Sequence, residues 1–105
     1  MAEKIIGSKT VDVDDEGYMT DPNQWDGEIA KDIASGLGIA ELTDDHMKVV
    51  DFLRKEHTAS GTIPTLRKIG KKSGVNIKSL YKLFPDGPVK KAAMISGLPK
   101  PNSCV

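Results

Sequence analysis

Apolar residues along most of this chain recur at helical spacing, and only its beginning carries the alternation of a strand. Thr10-Val11-Asp12-Val13 alternates polar and apolar, as a half-buried strand does. Asp14-Asp15-Glu16-Gly17 reads as a turn, with Tyr18-Met19-Thr20 returning from it as a second short strand. Asp21 then caps a helix that Pro22 opens, on which Trp25, Ile29, Ile33 and Leu37 make one apolar stripe before Gly36 and Gly38 end it. Thr43 caps a second helix, with Asp44 and Asp45 in the first turn where the helix dipole favours anions. Met47, Val50 and Leu53 line its inner face, flanked by Val49 and Phe52. A third helix starts at Thr62-Ile63-Pro64, buries Leu66 and Ile69, and stops at Ser73-Gly74. Asn76 caps a fourth, which presents Ile77, Leu80, Tyr81 and Phe84 and ends at Pro85. Pro88 opens a fifth, closed by Gly97. The predicted fold is a single, mainly α domain. It has a β-hairpin over residues 1–20, a small orthogonal helical bundle containing a helix-turn-helix over 21–97, and an extended, flexible arm over 98–105.

Composition adjusts this picture in two ways. The chain has 105 residues, 38% of them apolar and only 5% aromatic, so one core built mainly on aliphatic packing is expected. No apolar run approaches the roughly 18 residues of a membrane span. The acidic start lacks the apolar stretch of a secretory signal. Net charge is zero but segregated: residues 1–56 carry 14 acids against 6 bases, and residues 57–105 carry 9 bases against Asp86 alone. The second half therefore suits anionic partners. Asp12, Asp14 and Glu16 imitate the start of a calcium loop, but the twelfth position, which needs a bidentate carboxylate, is Asn23. His46 and His57 are too far apart to share a face as metal ligands, so they read as structural or solvent-facing, and no metal or other cofactor is expected.

The chemistry sits at the end. Cys104, the one cysteine, is the penultimate residue, preceded by Pro99 and Pro101, whose fixed φ stiffens the segment. A single cysteine makes no internal disulfide, so a reducing cytoplasm is the expected location. The tail resembles that of the DsrC/TusE family of sulfur-relay proteins, which includes the gamma protein of dissimilatory sulfite reductase. The family pattern, roughly LFPxGPxKxxCxxxGLPKPxxCV, is met by Leu83-Phe84-Pro85, Gly87-Pro88, Lys90, Gly97 to Pro101 and Cys104-Val105. Gly17-Tyr18, Trp25, Leu42-Thr43, His46, Phe52-Leu53, Pro64 and Arg67 extend the match upstream. Ala93 departs from it: members of the DsrC type carry a second cysteine there and TusE-type members lack it. The resemblance implies that Cys104 accepts sulfane sulfur as a persulfide and that Arg67 and Lys100 help position the arm. Lys90 joins them as a candidate anion-binding group. It also implies partners of the sulfur-transfer or sulfite reductase type, and an arm able to fold back towards residue 93. No phosphate-binding loop or triad is present, so the protein reads as a relay acting as co-substrate of other enzymes, although the label sulfurtransferase fits. It is expected to be a monomer, with dimers possible through Cys104.

Thr65 to Phe84 supports a competing reading. Two short helices joined at a glycine form a helix-turn-helix, and SLYxxF is similar to the recognition helix of TetR-type repressors. Lys78, Ser79 and Lys82 would then meet phosphates and base edges. After the capping Asn76 that helix offers no Asn, Gln or Arg for bidentate base contacts, so DNA binding is expected to be weak and independent of sequence.

Overall fold

A computed structural model describes residues 2–6 and 9–101. The sheet is a hairpin of β1 (Ala2–Ile6) and β2 (Lys9–Val13), paired antiparallel with Lys4 opposite Val11. The alternating segment is thus a strand, but its ladder partner lies before it. Tyr18-Met19-Thr20 makes only a single bridge, Val13 to Met19. Asp14 explains the turn between them: its carboxylate accepts from the N–H groups of Glu16 and Tyr18, at 2.9 and 3.0 Å. Asp12 is also committed, accepting from the Gln24 side chain. Ile6, Val11 and Val13 turn inwards and pack with Met19 and Ile29 into a small apolar cluster.

Five helices follow: α1 (Gly27–Gly36), α2 (Asp44–Ser60), α3 (Leu66–Lys72), α4 (Ile77–Leu83) and α5 (Pro88–Ile95). The helix expected from Asp21 is divided. Asp21 caps a short 3₁₀ turn, Pro22–Gln24, and Asp26 restarts the chain as α1 by accepting from the Ile29 N–H at 3.0 Å. Each carboxylate captures an N–H two or three residues on, and two such caps five residues apart leave room for one turn between them. On α2, Val49, Val50 and Leu53 are fully buried, while Met47 and Phe52 are only partly so. α3 begins later than expected, because Thr65 is its cap and Pro64 lies buried ahead of it. The turn Ser73-Gly74-Val75 places Gly74 at φ 86°, and Asn76 caps α4 by accepting from Ser79 N–H at 2.8 Å. A Cβ on Gly70 would stand 2.6 Å from the Ile77 side chain, so α3 and α4 approach too closely for any larger residue there.

The main core joins α1, α2, α4 and α5 through Ala30, Ala34, Val50, Leu53, Leu80, Phe84, Val89 and Ile95. Of the four apolar residues that α4 presents, Leu80 and Phe84 are buried and Ile77 and Tyr81 are 41% and 47% exposed, while Leu83 packs partly against the core. His46 is a buried structural residue. Its Nδ1 accepts from Thr43 N–H at 3.0 Å, completing a capping box. Its Nε2 lies 2.9 Å from the Leu83 carbonyl, and Phe84 packs edge-on against the ring. Among the described residues no helix is long and apolar enough to cross a membrane.

Candidate functional site

The site is built where α5 hands over to the arm. α5 ends in a Schellman motif: Gly97 N–H donates to the Met94 carbonyl and Leu98 N–H to the Ala93 carbonyl, both at 3.1 Å, with Gly97 at φ 69°. Leu98 is fully buried and Pro101 is buried, so the segment expected to leave the body at residue 98 is still packed on it at residue 101. Lys100 is exposed, and its ammonium donates to Glu16 at 2.7 Å. That hydrogen bond, reinforced by the charge of Glu16, holds the Lys100 ammonium above its ordinary pKa. The first described turn of the arm is thereby tied to the acidic turn of the N-terminal region. A shallow recess of about 100 Å³ lies beside it, lined by His57, Gly61, Thr62, Ile63, Pro99, Lys100 and Pro101.

Cys104 lies outside the described residues. Of the other site residues expected from the sequence, only Lys100 is at the arm. Arg67 is exposed on α3 and Lys90 half-buried on α5, and neither lines the recess. Lys68 is engaged with Glu56 at 2.7 Å. Lys78 and Lys82 are exposed on α4 and Ser79 is half-buried, one turn of helix presenting cations beside Ile77 and Tyr81.

One residue essential to the site's geometry escaped the sequence reading. Arg54 of α2 donates through Nη1 to the Ser96 carbonyl at 2.8 Å and through Nη2 to the Pro22 carbonyl at 3.2 Å. Its guanidinium carbon stands 4.2 Å from the centre of the Trp25 ring, and burial lowers its pKa. Trp25 in turn donates Nε1–H to the Ile95 carbonyl at 2.7 Å. The signal in the sequence was faint: a lone arginine directly after the apolar pair Phe52-Leu53.

The chain matches the family model described as DsrC like protein over residues 5–105. This chain belongs to the DsrC family. It is 36% identical over 105 residues to the dissimilatory-type sulfite reductase subunit gamma of Nitratidesulfovibrio vulgaris, with all of both chains covered. It is 39% identical over 109 residues to the sulfurtransferase TusE of Salmonella typhimurium, covering 96% of this chain and 98% of that one. A chain from a crystal structure of dissimilatory sulfite reductase I superposes with a TM-score of 0.88 at 35% identity, covering 99% of this chain and all of the other. The mainly helical DsrC fold with its N-terminal hairpin is therefore the fold of this protein.

Proposed function

We propose that this protein is a sulfur carrier that takes up sulfane sulfur as a persulfide on Cys104 and passes it to a partner. The observation that carries this reading is the lone, penultimate cysteine of a DsrC family member whose preceding residues, Leu98 to Pro101, are fastened to the body. A thiolate is the attacking species. The Cys104 thiolate attacks the outer sulfur of a donor persulfide, the donor S–S bond breaks, and the donor leaves as its thiolate. An acceptor thiolate then attacks the outer sulfur on Cys104, and the Cys104 thiolate is restored, with no net oxidation or reduction. Lys100 favours the Cys104 thiolate, but less than an unengaged lysine would, because Glu16 offsets its charge. Arg67 and Lys90 remain the candidate cations for the arm or for an anionic group on it.

With Ala93 where DsrC-type members have their second cysteine, no bridge can close within one chain, and the role is that of a single-cysteine relay. Partners are sulfur-transfer or sulfite reductase-type proteins in the cytoplasm, and the protein serves them as co-substrate. The test is intact mass after incubation with a persulfide donor. Wild type gains one sulfur and Cys104→Ala gains none. Equal gain by both, or gain by neither, overturns the proposal.

A further inference from the structure

Every carbonyl at the end of α5 has a partner, and the last two are taken by side chains from elsewhere in the fold. Ala92 accepts from Ser96 N–H and Oγ–H, Ala93 from Leu98, and Met94 from Gly97. Ile95 accepts from Trp25 and Ser96 from Arg54. Helix ends leave such carbonyls without intrahelical partners, and water could serve them as well as protein. Here two donors far away in sequence converge on consecutive carbonyls. Arg54 also bonds Pro22, so its planar fork joins the 3₁₀ turn, α2 and the α5 terminus. The Trp25 ring packs against the guanidinium, and a Cβ at position 97 would overlap the same Trp25 side chain. The chain can leave α5 only by a residue with no side chain, in a left-handed turn, over that ring.

We propose that Trp25 and Arg54 are positioning residues that set the direction in which the arm leaves α5, and so where the Cys104 thiol is presented. The inference rests on Cys104 being the sulfur carrier, but its test does not use sulfur chemistry. Cys104 is the only cysteine, so a nitroxide label attaches there in the otherwise unaltered protein. Paramagnetic broadening of backbone amides then maps where the end of the arm resides.

In wild type the broadening is expected on a limited set of amides. Arg54→Lys keeps the charge but loses the fork, and Trp25→Phe keeps a ring but loses the Nε1–H donor. Each is expected to redistribute the broadening several-fold while the amide shifts of α3 stay in place. An unchanged pattern in both folded variants overturns the proposal, as does a wild-type pattern spread evenly over the whole body. Should one variant unfold, the other decides; unfolding of both assigns the contacts to global stability and also overturns it. Persulfide loading of unlabelled wild type, read by mass, shows independently whether the carrier reading stands.

Discussion

At the scale of single residues, Gly97 is the most constrained position. It combines φ 69° with a Cβ path blocked by the Trp25 ring at 2.4–2.6 Å. Gly97→Ala is therefore expected to lower stability by about 1–3 kcal/mol for the backbone conformation alone, with overpacking adding to it. The midpoint of chemical denaturation, compared with Gly36→Ala where a Cβ meets nothing, checks this. Tyr18 gives a pH signature. Its phenol is buried, which raises its pKa above the ordinary 10.0, and Glu16 adds to the rise. Below that ordinary value both folded and unfolded chains hold the proton, and the contribution to stability is complete. As pH climbs past it the unfolded chain ionises first, so stability falls until the folded phenol titrates too. In a Tyr81→Phe variant, where Tyr18 is the only remaining tyrosine, the ultraviolet phenolate transition of the folded protein is expected above 10.0 and that of the denatured protein near it.

At the scale of elements, the junction between α5 and the arm decides what a second thiol would do. Ala93 is fully buried, and its carbonyl receives Leu98 N–H, so the backbone has already doubled back over residue 93 when the arm begins. From Leu98, six more residues reach Cys104, a span of up to about 20 Å at roughly 3.3 Å per residue. A disulfide needs the two Cα atoms about 4.4–6.8 Å apart. Ala93→Cys is expected to close an intramolecular disulfide with Cys104 under mild oxidation, leaving no free thiol, whereas wild type forms only intermolecular products. Non-reducing electrophoresis with thiol counting reads both; a variant that stays reduced or only dimerises would show that the arm does not return to α5.

For the molecule as a whole, charge segregation sets how it meets polyanions. The second half carries eight of its nine cations on α3, α4 and α5, with Lys100 on the arm, and Lys78 and Lys82 stand exposed on α4. Asn76 is spent as a cap and Ile77 and Tyr81 occupy the adjoining exposed row, so groups able to read bases are lacking. Binding to duplex DNA is expected to be weak, equal for unrelated sequences and lost as salt rises. Fluorescence anisotropy over a salt series measures this, and a sequence-selective complex surviving physiological salt would contradict it.

What the sequence determined by itself were the features whose causes are local. Thr43, Asn76 and Pro88 mark helix starts because a cap or a missing N–H acts within one turn, and Gly74 and Gly97 mark turns because only glycine takes their φ cheaply. The tail motif and its lone cysteine were equally legible. The tertiary structure decided the rest. Which strand pairs with β2, and which α4 residues are left in solvent, depend on neighbours remote in the chain. The attachment of the arm depends on them most: Trp25 meets Ile95 across 70 residues and Arg54 meets Ser96 across 42. Nothing in local propensity encodes such a pairing; it exists only once the core has brought the 3₁₀ turn, α2 and the end of α5 together, where unpaired carbonyls and donors must find one another.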